Sequence, residues 1–524
     1  MKRFFNVSGP CSPQYHYMVD PGRNLRDEIT RLIEERQYFV VHAARQSGKT
    51  TMLLDLAKRV NDSGDYRALY CSLESLEGID DPKDGVVQIV GVVEDAIALS
   101  DFASEVQPGH ITEKEGESYY AILLEKALRK ICARLKKPLV LLFDESDCLS
   151  GGTLIQFLRQ LRKGYVSRDI TPFVHSVALA GTQNIRDYRG EYAKGKSSLG
   201  SASPFNIAKK SLTLANFSKT DIAFLYGQHI ADTGQVFSPE SIELVWEQTQ
   251  GQPWLVNAIA AECVDVISGG DATVDITANI VESAIQTVVT RRDTHIDSLL
   301  ARLNEPRVRT ALEPILTGDV YSLDYLSDDF SYVSDLGLVR ITDGQMEPAN
   351  PIYGEIIVRA LTLKAQTDLK SKVYPYDTPK YIKDGKLDLD SLLRDFQEFW
   401  RDNSEIWAER FEYKEAAPHL ITQAFLQRVI NSGGQILREF AAGSGRVDLC
   451  VIFGGNRYPI ELKIRRGETA FEKSLTQIRD YMDTLECDTG WLVIFDQRKG
   501  LNWEEKLYIR TENINGKSVT VVGC

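Results

Sequence analysis

The spacing of apolar residues changes several times along the chain, and each change marks an element. Gln37-Tyr38-Phe39-Val40-Val41-His42 is a compact run of strand formers. It passes into the polar stretch Ala43-Ala44-Arg45-Gln46-Ser47-Gly48-Lys49-Thr50 and then into helical spacing over 51–57, so strand, loop and helix are expected in that order. A second apolar run over 138–143 has the continuity of a strand buried on both faces, and it ends in Asp144-Glu145. A third, over 173–181, runs into Thr182-Gln183-Asn184-Ile185-Arg186. Residues 216–290 keep a helical period. Further helices are expected over 307–316 and 328–336, then a strand at 337–341 and a turn at Asp343-Gly344. The stretch Tyr374-Pro375-Tyr376-Asp377-Thr378-Pro379-Lys380 reads as a linker. After it come a helix over 411–430, a strand-like segment over 435–440, a strand over 445–453, a glycine turn and a strand over 458–464. No internal repeat or low-complexity tract interrupts this order.

A strand, a glycine-bearing loop and a helix build a phosphate cradle from backbone N–H groups and the positive end of the helix. Ala44, Arg45, Gln46, Ser47, Gly48, Lys49, Thr50 and Thr51 are therefore the expected nucleotide-binding residues, with Lys49 on the outer phosphates and the Thr50 hydroxyl on Mg²⁺. Ala43 stands where a first glycine is usual and tolerates fewer backbone angles. The acids that end the second run have Walker B form. Asp144 is expected to hold Mg²⁺ through water, and Glu145 to orient or activate the water that attacks the γ-phosphate. The end of the third run resembles the place where AAA+ and STAND ATPases carry their γ-phosphate sensor, and that resemblance implies Thr182, Asn184 or Arg186 as its reader. Gly251-Gln252-Pro253, inside the helical stretch, resembles the GxP element of STAND-type and origin-recognition-like ATPases, which puts Pro253 in a lid over the nucleotide.

Helix, helix, strand, turn, strand over 291–363 is a winged-helix pattern. Asp328, Asp329 and Asp335 make its recognition helix acidic, which favours packing against the ATPase over contact with DNA.

The densest chemistry lies near the carboxy terminus. Asp448 enters one strand, and Glu461 and Lys463 share a face of the next because side chains alternate. If the two strands form a hairpin, both carboxylates meet at one Mg²⁺, and the ammonium steadies an attacking hydroxide or the developing phosphorane charge. Asp448 followed by Glu461-x-Lys463 is the signature of PD-(D/E)XK nucleases, and Gln477 with Tyr481 on the following helix reproduces the QxxxY element of their RecB-like branch. Glu415, with Glu412 in reserve, is the candidate acid of the preceding helix, where His419 shares the face of Glu415; Glu439 is a further candidate. Arg438, Arg446, Arg465 and Arg466 would supply a local positive field.

That field matters because the 524-residue chain carries a net charge of -13, awkward for a protein that contacts phosphates. Its length calls for several cores, and 43% hydrophobic with 26% charged residues is ordinary globular composition. The 8 cysteines form no CxxC pair, which argues against a disulfide framework or structural zinc. No run approaches the roughly 18 apolar residues that span a bilayer, and no signal peptide opens the chain, so no membrane partner and a cytoplasmic location are expected.

Taken together, "RFFNVSGPCSPQYHYMVDPGR", "YFVVHAARQSGKTTML", "TQGQPWLVNAIA", "YIKDGKLDLDSLLRDFQEFW", "EAAPHLITQAFLQRVINSGG" and "REFAAGSGRVDLCVIFGGNRYPIELKI" resemble a family of bacterial AAA-like (STAND/AAA+-type) ATP-binding proteins with a carboxy-terminal PD-(D/E)XK (RecB-like) domain. The resemblance implies an α/β multidomain fold. Its parts are a P-loop parallel-sheet ATPase core (1–200), a helical lid (201–290), a winged helix (291–363), a linker and helix (364–405) and an α/β restriction-endonuclease-like domain (406–524). It implies ATP and Mg²⁺ as cofactors, with Mn²⁺ as an alternative at the nuclease site. It further implies DNA, double- or single-stranded, as substrate, a homo-oligomer or a defence-system protein as partner, and a role in phage defence or mobile-DNA control. Two other readings stay open: a STAND-type switch whose last domain binds nucleic acid or protein without cutting, and a DNA-remodelling motor.

Overall fold

The computed structural model describes residues 3–106, 119–182, 208–291, 294–303, 305–317, 328–342, 345–357, 378–410, 418, 421–423, 425–426, 434–442, 445–465, 470–496, 498 and 502–524. They belong to two compact units. The first takes Met1–His295, Asp324–Arg340 and Ala349–Pro351, and the second takes Ile296–Leu323, Ile341–Pro348 and Ile352–Cys524.

In the first unit β1 (Tyr38–His42), β2 (Arg67–Ser72), β3 (Leu139–Asp144), β4 (Ser176–Gly181) and β5 (Ala208–Thr213) make an all-parallel sheet in the order β2-β3-β4-β1-β5. Every residue of β3 and β4 is buried, as the continuous apolar runs require of strands covered on both sides. Alternate residues serve different cores. Tyr38, Val40, Leu141, Phe143 and Leu179 pack with α3 (Pro82–Ala98), α4 (Ala103–Val106), α5 (Tyr120–Arg134) and α6 (Gly151–Val166). Phe39, Val41, Val140, Leu142 and Ala180 pack with α1 (Arg26–Glu34) and α2 (Lys49–Ser63). β5 lies past residue 200, so the sheet takes in a strand from the interval expected to be lid.

The helical stretch resolves into α7 (Lys219–Thr233), α8 (Pro239–Thr249), α9 (Pro253–Ala261) and α10 (Ala278–Thr290). Ser218 and Asp221 form a capping box at the start of α7. α9 is buried from Pro253 to Ala260 and is the centre of this bundle. The interval 291–363 holds α11 (Thr294–Arg302), α12 (Pro306–Thr317), α13 (Asp328–Asp335) and the two-stranded pair β6 (Val339–Thr342) and β7 (Gln345–Pro348). This interval is divided between the two units.

The second unit is built on six strands in the order β10-β11-β12-β13-β15-β14. β10 (Gly434–Ala442), β11 (Gly445–Phe453) and β12 (Asn456–Arg465) are antiparallel neighbours. β12, β13 (Thr489–Asp496) and β15 (Lys517–Gly523) run parallel, and β14 (Tyr508–Ile514) returns antiparallel at the edge. The short pair β8 (Ile382–Lys383) and β9 (Lys386–Leu387) precedes α14 (Leu389–Arg410). Leu392, Leu393 and Phe396 of α14 pack on Ile460, Leu462, Val493 and Phe495. On the other side Ile478, Tyr481 and Met482 of α15 (Ala470–Thr484) pack on Cys450, Leu492 and Val521. α16 (Trp503–Lys506) is a single turn before β14. Most of α14 falls in the interval expected as linker and helix, and it belongs to this core.

Candidate functional sites

The loop after β1 turns sharply. Gln46 (φ 56) and Gly48 (φ 93) both lie in the left-handed region, which glycine adopts without strain, and α2 starts at Lys49. The Ser47 hydroxyl donates to Ala44 O at 2.7 Å, closing the loop on itself. The Lys49 ammonium donates to Ala43 O at 2.8 Å and Ala44 O at 3.0 Å. Burial pulls Lys49 below its ordinary value, opposed by the negative charges of Asp147, Glu145 and Asp144. The Thr51 hydroxyl accepts from Cys11 N–H at 3.0 Å, which ties the amino-terminal segment to the first turn of α2.

β3 brings its terminal acid to the same place. Thr50 Oγ1 donates to Asp144 Oδ2 at 2.6 Å, and Tyr70 of β2 donates its hydroxyl to the same oxygen at 3.0 Å. Glu145 takes a left-handed conformation (φ 53), and its carboxyl is raised above the usual range by burial and by Asp147 and Asp144. Thr182, buried at the end of β4, gives both its N–H and its hydroxyl to Asp147 Oδ2, the first at 2.9 Å. Asn184 and Arg186, the alternatives to Thr182, lie outside the described residues. Pro253 opens α9, with Gln252 capping that helix through Leu255 N–H at 2.7 Å. Arg45 is near enough to act on the charges of both Lys49 and Glu145.

Three participants were not legible in the sequence. Arg23 sits against Gly48, donates Nη2 to Ser47 O at 2.8 Å and lies over the Phe217 ring at 5.1 Å. Its burial brings it down to about 10. Tyr70 and Asp147 are the others. Asp147, two positions after Glu145, could have been suspected from its acidic run; nothing in spacing singles out Arg23 or Tyr70.

In the second unit the described backbone ladder between β11 and β12 ends at Leu449↔Ile460. One position further the carboxylates take over. Asp448 Oδ2 accepts from Leu462 N–H at 2.8 Å, and Glu461 Oε2 accepts from Asp448 N–H at 3.5 Å. Lys463 reaches back along β12, Nζ to Glu461 Oε1 at 2.7 Å. By alternation Asp448, Glu461 and Lys463 share the face that α15 covers, where Gln477 donates Nε2 to the Tyr481 hydroxyl at 2.7 Å. Glu461 is fully buried, and its carboxyl is pushed up to about 7 by that burial and by Asp448. Burial acts to lower Lys463, but Asp448 and Glu461 outweigh it, so its ammonium is held above the ordinary value.

Two crowded carboxylates, Glu461 fully buried and resisting ionisation and Asp448 half-buried, fit a hard divalent cation that takes oxygen ligands. Among the described residues there is no group of three or more His, Cys, Asp or Glu able to hold a metal, and the pair Asp448 and Glu461 is what those residues offer as donors here. Glu415, Glu412, His419 and Arg466 lie outside the described residues. Glu439 and Arg438 fall in β10, Arg446 in β11 and Arg465 in β12.

Comparison with known proteins gives one family match, a domain of unknown function (DUF8371) over residues 394–499, the stretch that holds Asp448, Glu461, Lys463, Gln477 and Tyr481. No curated protein matches the chain. Among solved structures, a Walker-type ATPase of Pyrococcus abyssi is 13% identical, with a TM-score of 0.46 over 67% of this chain and 99% of that one. Cdc6p from Pyrobaculum aerophilum is 14% identical, with a TM-score of 0.38 over 69% of this chain and 88% of that one. The RuvB Holliday junction branch migration motor of Thermotoga maritima is 14% identical, with a TM-score of 0.33 over 67% and 95%.

Proposed function

We propose that the chain binds and hydrolyses ATP in its first unit and cuts DNA in its second, with the nucleotide state of the first governing the cut. The first half is carried by the 2.6 Å contact between Thr50 and Asp144 beside a buried lysine at a helix start. In this reading Lys49 exchanges its two carbonyl partners for outer-phosphate oxygens, and the N–H groups from Gln46 to Thr51 cradle the phosphates. Thr50 and Asp144 would hold Mg²⁺, which when bound neutralises charge on the transferring phosphoryl group. Glu145 orients the attacking water, and Thr182 at the strand end reads the γ-phosphate. Pro253, at the head of the buried α9, contributes to a lid over the nucleotide.

The second half is carried by the convergence of Asp448, Glu461 and Lys463 on one face of the sheet. Asp448 and Glu461 would hold Mg²⁺ or Mn²⁺, which when bound lowers the pKa of a water and neutralises charge at the scissile phosphate. Lys463 places an ammonium beside that position, and Tyr481, anchored by Gln477, borders it. DNA is the proposed substrate, a second copy or a defence-system protein the proposed partner, and phage defence or mobile-DNA control in the cytoplasm the proposed setting. Among the described residues no helix is long and apolar enough to cross a membrane.

The test is incubation of supercoiled plasmid and of single-stranded DNA with Mg²⁺ or Mn²⁺, with and without ATP, using wild type and Lys49→Ala. Cation-dependent cutting that responds to ATP in wild type and not in Lys49→Ala is expected. A Lys49→Ala chain that cuts as wild type does with ATP removes the gate and leaves the nuclease. Absence of cutting under every condition returns the second unit to a binding role.

A further inference from the structure

The turn that follows β3 is stapled to the end of β4 by side chains, and the main staple is neither of the two acids assigned to Mg²⁺ and water. The backbone ladder between the strands stops at Phe143↔Leu179. Beyond it, Ser146 Oγ donates to Ala180 O at 2.8 Å, and Asp147 Oδ2 collects both donors of Thr182. Gly181 lies between, where an added Cβ would stand 2.9 Å from Asp147 Oδ1. Its carbonyl accepts from Ala43 N–H at 3.3 Å, so the same strand end also carries the start of the phosphate loop. Among the described residues Asp147 Oδ1 is buried with no hydrogen-bond partner. In this half-buried carboxylate one oxygen is shared by two donors and the other is shielded from water, a shielding that costs free energy, so the arrangement is expected to serve something other than stability.

Glu145 stands two residues before Asp147, and the turn between them is closed by Cys148 N–H donating to Glu145 O at 3.0 Å. Anything that fixes Asp147 therefore fixes the backbone from which Glu145 projects. We propose that Asp147 is a positioning residue for ATP hydrolysis. Its carboxylate holds Thr182, the reader of the γ-phosphate, in register with Glu145, so that reader and water-orienting acid respond to the nucleotide as one body. The inference rests on the ATPase reading above and deepens it.

Steady-state ATP hydrolysis and binding of a fluorescent ATP analogue, measured on the full chain, test it. Asp147→Ala is expected to lower kcat by about tenfold or more, while KM and the affinity for the analogue stay within about threefold, because misplacing a catalytic group costs rate more than binding. Asp147→Asn, which keeps an acceptor oxygen for Thr182, is expected to recover most of that kcat. Thr182→Val, which keeps the backbone N–H bond to Asp147 but removes the hydroxyl that reads the phosphate, should lose at least as much as Asp147→Ala, and the double variant no more than Thr182→Val alone, since Asp147 acts through Thr182. If Asp147→Ala does not fold, Asp147→Leu, close in shape to the carboxylate but without its acceptor oxygens, reads the loss of the same contact with Thr182 left intact. Unchanged kcat in Asp147→Ala, losses that multiply in the double variant, or an affinity lost as fully as in Lys49→Ala each overturn the positioning role. A wild-type chain that does not turn over ATP overturns the ATPase reading and this one with it, a result separable because it is read on wild type alone.

Discussion

Lys49 donates to two carbonyls of its own loop, bonds that phosphate oxygens would replace, and so its removal withdraws charge from the outer phosphates and leaves the loop's backbone donors in place. Lys49→Ala is expected to lower phosphate release from ATP by about 100-fold or more, a loss of the size seen when a preorganised charge at a transition state is deleted. Activity within a few-fold of wild type would exclude this loop as the site of hydrolysis. Glu461 makes a different kind of claim. Its carboxyl rises from 4.5 to about 7 in the fold, so between those values the folded chain holds a proton that the unfolded chain releases. The stability it contributes is therefore full below about 4.5 and lost as pH rises through about 7. Without added cation, Glu461→Gln is expected to unfold at a higher temperature than wild type at pH 8, by up to about 3 kcal/mol of stability, and to lose that advantage near pH 4.5. Equal melting midpoints at pH 8 would contradict the crowded, buried carboxylate. At this scale the sequence singled out, through local motifs, residues that the fold then brings into contact: Thr50 with Asp144, and Asp448, Glu461 and Lys463 with one another. It did not show Tyr70, which reaches Asp144 from 74 residues away, or the role of Asp147, which reaches Thr182 across 35. Those contacts exist only once strands are placed side by side.

Elements were legible in proportion to their burial. β1, β3 and β4 stand in the middle of their sheet and read as unbroken apolar runs. β5, at the edge, exposes Lys209 and Lys210 and offers no such run, so its place beside β1 follows from the fold and not from its composition. The β11–β12 hairpin was legible because period-two alternation fixes which residues share a face, and α15 was legible through the i, i+4 spacing of Gln477 and Tyr481. The interval read as a winged helix has the expected kinds of element, yet its contacts divide between the two units, which no periodicity reports. The GxP turn is an element-scale feature with a sharp steric consequence. Gly251 has φ 72, its carbonyl accepts from Phe217 N–H at 2.8 Å, and an added Cβ would stand 1.8 Å from Phe217 O. Gly251→Ala is expected to destabilise the first unit by more than about 3 kcal/mol, read as a lowered thermal midpoint, because a backbone atom cannot yield as a side chain can. A midpoint shift of a degree or less would mean that the turn is not packed as described.

For the whole molecule, the two sites use separate residues in separate compact units. Lys49, Thr50, Asp144 and Thr182 belong to the first, and Asp448, Glu461, Lys463 and Tyr481 to the second. Sites with no shared partners contribute nearly additively, so Glu461→Ala is expected to leave basal ATP hydrolysis within about twofold of wild type. A collapse of ATPase activity in that variant would mean that the second site supports the first. In the proposed reading the net charge of -13 would confine DNA contact to a local field, to which Arg465, two residues beyond Lys463 on β12, would contribute. The measurement closest to the central claim is cleavage of end-labelled DNA in Mg²⁺ and ATP by matched preparations of wild type and Glu461→Ala. Cutting by wild type and none by Glu461→Ala is the expected result; equal cutting by both would contradict the account.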